Sequence, residues 1–500
     1  MTFDLKNLPE DTALLHAIIA DLAGEVDSLQ AQLALLKAKR FGTSSEKLDK
    51  QIDELEQQIE DNEIAAKPRL DADESAKNKA KRKPLPEHFP RENVTLNPDL
   101  KCSECGAEDF REIADDISEV LEYKPSSFKV IRTIRPRCAC INCENIIQAE
   151  LPSGPIAKGK AGPGLLAHIL VQKYANHLPL YRQSQIYERE GLDLCRSTMA
   201  GWVGQCSKLL EPLITALQAD IFESEQIHGD DTPIRVLAPG LGKTKTGRIW
   251  AYVRDGRPFG CDTPPAVCYF YSPDRKALRP EEHLKSFAGT LHADAYAGYN
   301  NVYKSAKNPE ATAFESACWS HTRRKFYEVT VAIPNAGIAA EALDKIGELY
   351  KIEEEIRGST AAKRLKNRQK HSQKLVDDFF DWLKKCRAKL PKKSQTTKAI
   401  NYALNQEAGL RHFLTDGHVE IDNNAAERAM RPIALGRKNW MFAGSDKGGE
   451  YAASIFSLME TAKLNSINPQ EYLTHVLKNI KNHNSNKIHE LLPWNIKLTD

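Results

Sequence analysis

The 500-residue sequence predicts a multidomain α/β protein, and three observations support that prediction. The chain is too long for one ordinary hydrophobic core, so three or more modules are expected. Its pattern changes along its length, from heptad-spaced leucines through clustered cysteines and helical segments to strand-like segments after residue 225. Hydrophobic residues make up 41% and charged residues 28%, a balance typical of globular proteins, which argues against a disordered or fibrous chain.

Charge is spread unevenly, although the net charge is only +2. Residues 361–398 contain thirteen Lys or Arg and three Asp, a local balance of +10. We expect this stretch to face a polyanion, with contacts to DNA from Lys363, Arg364, Lys366 and Arg368. A solvated helical face is the commoner explanation for any single charge run.

No segment of the sequence predicts a membrane span or a secretory signal. Uninterrupted apolar runs extend for only a few residues, and the start of the chain lacks a basic flank before an apolar core. We therefore expect an intracellular, cytoplasmic protein.

Residues 1–66 predict a coiled-coil dimerisation region. Apolar residues alternate at spacings of four and three, the pattern of a parallel two-stranded seam. The seam consists of Leu15, Ile19, Leu22, Val26, Leu29, Leu33 and Leu36. The alternative is an amphipathic helix packed on the protein's own core. Residues 67–91, rich in Lys and Pro, predict a basic linker.

Residues 92–157 predict a zinc-binding module. Two Cys-x-x-Cys pairs have the spacing of a structural tetrathiolate site for one Zn²⁺ ion, and an odd total of 11 cysteines in an intracellular chain argues against disulfides. The predicted ligands are Cys102, Cys105, Cys140 and Cys143, which leaves Cys138 free. An insert at 117–137 predicts a β-hairpin. Buried cysteines without a metal are the less favoured alternative.

Residues 158–222 predict three helices, the second stopped by Gly191 and the third capped by Ser197 or Thr198. Two helices joined by a Gly-containing turn favour a helix-turn-helix-like DNA-binding region. Any small helical bundle would give the same pattern.

Residues 223–452 predict a ribonuclease-H-like catalytic core with a helical insertion at about 334–416. The order is three strands, a short helix, a strand, a further strand and then helices. The predicted strands are 225–237, 247–255, 266–274, 289–299 and 311–319, with a helix at 280–288. Residues 453–500 predict a C-terminal helical region.

Three carboxylates in this core are candidate metal ligands. Asp230 and Asp294 lie at strand ends in matching contexts, "HGDDTP" and "HADAYAGY", and Glu427 lies on the helix after the insertion. Convergent carboxylates need counter-charge, which a pair of Mg²⁺ ions supplies. The commoner role of a lone Asp at a strand end is a turn or cap, and Glu427 is spaced for a surface pair with Arg431.

Neighbours of these carboxylates leave two points open. Because side chains alternate along a strand, Asp230 and Asp231 cannot both face one site. His228 and His292 each precede an Asp by two residues, so a His/Asp transition-metal site is a rival. We favour hydrogen-bonded neighbours, because the rival leaves the basic surroundings unexplained.

Long segments resemble the transposases of the insertion-sequence-sixty-six family, and the resemblance covers nearly the whole chain. They include "RFGTSSEKLD", "GPGLLAHILVQKYANHLPLYRQSQIY", "HGDDTPIRVLAPGLGKTKTGRIWAYVRD", "DAYAGYN", "CWSHTRRKFYE" and "EIDNNAAERAMRPIALGRKNWMFAGSDKGGE". The resemblance implies a DDE-type catalytic domain whose metal-binding triad falls on Asp230, Asp294 and Glu427. The family's usual Glu after the first Asp is Asp231 here, which affects only the non-catalytic neighbour.

The resemblance also implies partners and a reaction. Water activated at the Mg²⁺ pair would attack a phosphodiester at each element end, and the freed 3′-hydroxyl would attack target DNA. Phosphate contacts are expected from Arg428, Arg431, Arg437 and Lys438, and Trp440 is expected to stack on a base or to pack as a core aromatic. The expected partners are DNA, a second copy of the chain in a homodimer or higher oligomer, and small accessory proteins encoded by the same element. The expected location is nucleoid-associated. The alternatives are a DNA-binding regulator with an inactive core and another two-metal DNA nuclease.

Overall fold

The computed structural model describes residues 161–496 except 239–242, 306–307, 334–336 and 393, and short stretches at 128, 130–131, 137–139, 146–148 and 154–156. The predicted coiled-coil seam, the basic linker and the four predicted zinc ligands lie outside the described residues. So does almost all of the predicted hairpin at 117–137. Strands β1 (Arg137–Ala139) and β2 (Ile146–Gln148) form an antiparallel pair in which Cys138 lies opposite Ile147.

Three helices follow, as expected: α1 (Pro163–Tyr174), α2 (Leu180–Arg189) and α3 (Arg196–Phe222). Gly191 has a φ of +82°, a conformation that favours glycine and ends α2. The predicted cap of α3 was wrong. The helix begins one residue earlier than Ser197, with Cys195 at the N-cap position and no side-chain capping bond.

A mixed five-stranded sheet forms the centre of the fold. Its strands are β3 (Gln226–Ala238), β4 (Lys243–Arg254), β5 (Ala266–Ser272), β6 (Thr290–Ala293) and β7 (Phe314–Ala317). Their order is β5-β4-β3-β6-β7, with β3, β4 and β5 antiparallel and β3, β6 and β7 parallel. The short helix α4 (Leu278–His283) joins β5 to β6. The middle of β4 is fully buried at the adjacent residues Trp250, Ala251 and Tyr252, whose side chains alternate between the two faces, so the core lies on both faces of the sheet.

Helices α12 (Asp446–Leu464) and α13 (Pro469–Asn479) complete this unit. The edge strand β5 is covered by α12, whose Ser457 hydroxyl accepts from the Tyr269 N–H at 2.8 Å. The Thr461 hydroxyl accepts from the Val267 N–H at 3.1 Å and donates to the Val267 carbonyl at 2.9 Å. Two hydroxyls thus satisfy backbone groups that an open sheet edge would leave unpaired.

The helical insertion has its own core, which includes Trp319, Ile346, Phe379 and Phe380. One of its helices, α5 (Trp319–Ala332), was not predicted from the sequence. The others are α6 (Gly337–Ile356), α7 (Ala361–Asn367), a π-helical turn at Arg368–Ser372, α8 (Gln373–Lys389), α9 (Gln395–Asn405) and α10 (Glu407–Arg411). Helix α11 (Asn424–Trp440) then returns to the sheet. Short 3₁₀ turns lie at Arg257–Phe259, Ala297–Tyr299, His412–Leu414, Ile480–Asn482, Ser485–Leu491 and Pro493–Asn495.

Two residues of the expected DNA-facing run are buried, so that expectation was wrong for Arg364 and Arg368. The Arg368 guanidinium donates to both oxygens of Glu353, at 2.7 and 2.6 Å. Arg364 pairs with Glu420 and donates to the Gly417 carbonyl at 3.0 Å. A buried charge requires such partners, which is why these arginines join the insertion to the segment before α11. Lys363 and Lys366 are exposed, as expected.

No helix in the described part of the chain is long and apolar enough to cross a membrane.

Candidate active site

Parallel pairing of β3 with β6 brings two of the candidate carboxylates to neighbouring strands. His228 lies opposite His292 in this register, so Asp230 and Asp294 each follow two residues beyond the pair. Neighbouring strands lie about 4.8 Å apart. The two imidazoles are buried and stack with their ring centroids 5.2 Å apart. The histidines therefore lie beneath the carboxylates, inside the sheet, and burial lowers the pKa of both.

Asn423 attaches the beginning of α11 to β3. This fully buried side chain donates from Nδ2 to the Gly229 carbonyl at 2.8 Å, and its Oδ1 lies 3.1 Å from Nδ1 of His228. Glu427 follows one turn later, and its backbone N–H donates to the Asn423 carbonyl at 3.2 Å. The sequence analysis missed Asn423, although an Asn directly before a predicted helix is a typical capping residue.

The pKa of Asp230 reports the charges that surround the candidate site. Its pKa is raised to about 7, chiefly by burial. The Asp231 backbone N–H donates to Oδ1 at 2.8 Å and lowers the pKa, whereas the negative charges of Asp294, Asp231 and Glu427 raise it. The charges of Asp294 and Glu427 therefore both act on Asp230. A bound divalent cation would offset this repulsion at Asp230.

Helix α5 supplies two residues that the sequence analysis did not single out. Nδ1 of His321 lies 3.7 Å from Oε1 of Glu427, and Nη2 of Arg324 lies 3.7 Å from Oε2. Glu427 thus faces α5. The alternative, a surface ion pair on α11, required Glu427 to face Arg431. Among the described residues, His321 Nδ1 and Glu427 Oε1 are buried without a hydrogen-bond partner. The Cys-x-x-His spacing at Cys318 and His321 was the available sequence pattern.

Asp231 points to two arginines, which separates its role from that of Asp230. Its carboxylate lies 2.9 Å from Nε of Arg248 and 2.7 Å from Nη2 of Arg275. Arg275 also lies 3.9 Å from Asp294 and stacks on the Tyr296 ring. Asp230 and Asp231, whose side chains are expected to point to opposite faces of the strand, thus have different partners.

The residues of this site fit a hard divalent cation. Asp230, Asp294 and Glu427 offer carboxylate oxygens, the ligands that Mg²⁺ prefers. The unpartnered Oε1 of Glu427 and the raised pKa of Asp230 are features that a bound cation would remove.

The candidate DNA-binding residues differ in exposure. The Arg428 side chain is half exposed and lies 4.0 Å from Asp255, and Arg431 and Lys438 are exposed. Arg437 donates to the Pro233 carbonyl at 2.5 Å, which joins α11 to β3. Trp440 is partly buried and packs against the main core.

Comparison with known families gives four matches along the chain. "Transposase IS66 family" matches residues 158–451 and "IS66 C-terminal element" matches 457–494. "Zinc-finger binding domain of transposase IS66" matches 99–144, and a leucine-zipper segment described as "Transposase C of IS166 homeodomain" matches 28–94.

Similar proteins occur in Sinorhizobium fredii (strain NBRC 101917 / NGR234). Uncharacterized protein y4hP is 38% identical over 96% of this chain and 89% of its own length. Uncharacterized protein y4qI is 36% identical over 97% of this chain and 92% of its own length. Uncharacterized protein y4jD is 36% identical over 99% of this chain and 98% of its own length. The similarity therefore extends over whole chains.

Proposed function

The chain belongs to the IS66 transposase family, and from that premise we propose that it cleaves DNA at the ends of a mobile element and joins those ends to target DNA. The observation that supports the chemistry best is the electrostatic coupling of Asp230 to Asp294 and Glu427. The charges of Asp294 and Glu427, which come from distant parts of the chain, both oppose ionisation of Asp230. Such an arrangement is costly unless it holds cations.

We assign Asp230, Asp294 and Glu427 as the ligands of two Mg²⁺ ions. When bound, such a pair supplies counter-charge and Lewis acidity for an in-line displacement at phosphorus. The chain's own residues fix the ligands: β3 and β6 set the spacing of the two aspartates, and Asn423 holds the first turn of α11 against β3. Glu427 is held on its other side by α5.

A ribonuclease-H-like core is part of the same proposal. Its support is the strand order β5-β4-β3-β6-β7, with three antiparallel strands followed by two parallel ones and a helical insertion before α11. This order agrees with the one expected from the sequence. The strand-end position expected for Asp230 was wrong, because Asp230 lies inside β3, whereas Asp294 directly follows β6; β3 and β6 are neighbouring strands.

DNA is proposed to lie along α11 and the beginning of α5. Arg324, whose side chain is half exposed beside Glu427, would contact a phosphate near the scissile bond. Arg428, Arg431 and Lys438 would contact phosphates further along α11. Arg437 has a structural bond to β3 as well, so its contribution to DNA binding would be smaller.

The remaining modules are proposed to organise the complex. Residues 99–144 match a zinc-finger domain, so a structural zinc ion is supported, with Cys102, Cys105, Cys140 and Cys143 as its proposed ligands. A dimer formed through residues 1–66 would bring two element ends together. Helices α1 to α3 are proposed to contact DNA next to the catalytic core.

The test is a cleavage assay with Mg²⁺ and DNA that carries the repeats flanking the gene, with the new 3′ ends mapped. The parent should cut at the element ends and join them to target DNA. Glu427→Gln, Asp230→Asn and Asp294→Asn should each fold and bind these ends but lose both reactions. Double variants should lose little more, because residues that act as a unit are non-additive.

Controls distinguish the alternatives. Glu450→Gln, an exposed carboxylate on α12, should cleave like the parent. A Glu427 that only forms a surface pair predicts a loss of about 0.3 kcal/mol in stability with cleavage intact. Binding without cleavage by the parent would favour a regulator, and cleavage without end preference or joining would favour a nuclease.

A further inference from the structure

Cys318, His321 and Glu427 form a cluster of three different metal-ligating groups beside the proposed magnesium site. Cys318 immediately precedes α5, His321 lies in its first turn, and Glu427 lies in the first turn of α11. One potential ligand atom from each residue lies within 4.8 Å of the other two. Residues more than 100 positions apart in the chain are brought together here.

The distances within the cluster suit a shared ion better than a hydrogen bond. Nδ1 of His321 and Oε1 of Glu427 are 3.7 Å apart, beyond the usual hydrogen-bond range of about 2.7–3.2 Å. A tetrahedral ion with bonds of about 2.0–2.1 Å separates such atoms by roughly 3.3 Å. Both atoms are buried, and neither has another hydrogen-bond partner among the described residues. A side-chain shift of a few tenths of an ångström would bring both to an ion.

The chemistry of the three groups points to a softer ion than magnesium. Mg²⁺ prefers oxygen ligands, whereas a thiolate, an imidazole and a carboxylate are typical ligands of zinc-class ions. The Asn423 backbone N–H donates to Sγ of Cys318 at 3.2 Å, and α5 and α11 both begin beside this sulfur. Burial raises the pKa of the Cys318 thiol to about 12, so a bound cation would have to supply the counter-charge of the thiolate.

We propose that Cys318, His321 and Glu427 bind one transition-metal ion of the zinc class, separate from both the cysteine module and the magnesium pair. Binding converts the Cys318 thiol to a thiolate and releases its proton to solvent, without a change of oxidation state. The potential ligand atoms of His321 and Glu427 are buried, although the rest of each side chain is partly exposed. Because Glu427 is shared, zinc here would withdraw it from magnesium and inhibit cleavage; this consequence rests on the proposed function.

Cobalt is the probe, because a cobalt–thiolate bond absorbs in the near ultraviolet. The full-length protein is purified with zinc in its cysteine module and then titrated with Co²⁺. The parent should develop charge-transfer absorption that saturates at one further equivalent. Cys318→Ser should lose this absorption, and His321→Asn should weaken cobalt binding at least about tenfold.

Matched variants show whether the effect is local. Cys268→Ser removes another fully buried cysteine, in β5, and should keep the absorption. Circular dichroism reports whether each variant folds. If Cys318→Ser does not fold, the cobalt affinity of His321→Asn tests the site instead. Absence of the additional absorption in the parent, its persistence in Cys318→Ser, or parent-like affinity in His321→Asn overturns the site.

A second measurement separates this site from the proposed function. At fixed Mg²⁺, added Zn²⁺ should reduce cleavage by the parent at least tenfold, and the ratio of rates with and without zinc should approach one in His321→Asn. Cobalt binding without inhibition by zinc would overturn the sharing of Glu427. No cleavage by the parent with Mg²⁺ alone would contradict the proposed function and leave the cobalt result intact.

Discussion

At the scale of single residues, Asp230 links the stability of the protein to its ligands. Burial and neighbouring carboxylates raise the pKa of Asp230 to about 7, above the value of about 4 expected in the unfolded chain. The folded state therefore holds this proton more tightly than the unfolded state. The associated stability is present below about pH 4 and is lost as the pH rises to about 7.

Replacing this carboxylate should therefore stabilise the metal-free protein. At pH 8 without divalent cations, the free energy of unfolding of Asp230→Asn should exceed that of the parent by on the order of a few kcal/mol, and the variant should unfold at a higher temperature. The difference should shrink at pH 5. Mg²⁺ should raise the melting temperature of the parent more than that of the variant, because it binds only the folded site. An Asp230→Asn protein that is less stable than the parent at pH 8 would contradict this account.

Asn423 is expected to position Glu427 without taking part in the chemistry. Asn423→Ala leaves the Gly229 carbonyl and His228 without their partner, so the free energy of unfolding should fall by about 2–4 kcal/mol. Cleavage at a temperature where the variant is folded should fall at least about tenfold, because Glu427 is displaced from the proposed metal site.

Asn424→Ala is the matched control for this prediction. Asn424 is adjacent, but within the described part of the chain its side chain bonds only to Asp422, so both stability and cleavage should stay close to parent values. Equal effects of the two substitutions, measured by denaturation and by cleavage rate, would show that Asn423 has no special positioning role.

At the scale of elements, the buried ion pairs attach the helical insertion to the segment that leads into α11. Arg368 donates to Glu353 and also to the carbonyls of Phe413, Asp416 and Val419, at 3.0, 3.0 and 2.8 Å. These carbonyls belong to the chain just before Asn423 and Glu427. The insertion is therefore joined to the site through backbone contacts, whichever of its surfaces bind DNA.

Arg368→Met should cost about 3–5 kcal/mol in the free energy of unfolding, because Glu353 becomes a buried charge without its bidentate partner. Lys366→Met, two residues earlier and exposed, should change it by no more than about 0.5 kcal/mol. Urea denaturation of both variants is the measurement. If the two lose similar stability, the buried network does not hold the insertion in place.

At the scale of the whole molecule, the proposed reaction needs two DNA ends in one complex, and the sequence predicts that residues 1–66 pair two chains for this purpose. Leu22→Lys with Leu29→Lys introduces charges into the seam and should give monomers in light scattering. Ser28→Lys with Ala31→Lys adds the same charge at outward heptad positions and should leave the mass unchanged. An unchanged mass in the leucine variant would assign self-association to another part of the chain.

The sequence by itself determined the order of the elements and the family. Strand alternation around Asp230, the Gly191 stop and the long motifs are local patterns, and local patterns survive without knowledge of the fold. They were sufficient to predict all five strands of the sheet and the helical insertion apart from its first helix, α5. They also selected Asp230, Asp294 and Glu427, whose catalytic roles stay predictions.

Only the tertiary structure decided which residues meet. Arg364 and Arg368 resemble Lys363 and Lys366 in sequence, but burial beside Glu353 and Glu420 makes the arginines structural. His321 and Asn423 acquire significance only because α11 begins beside β3 and α5 begins beside α11. These contacts join residues about 100–200 positions apart, so they depend on how whole elements pack, which no local periodicity encodes.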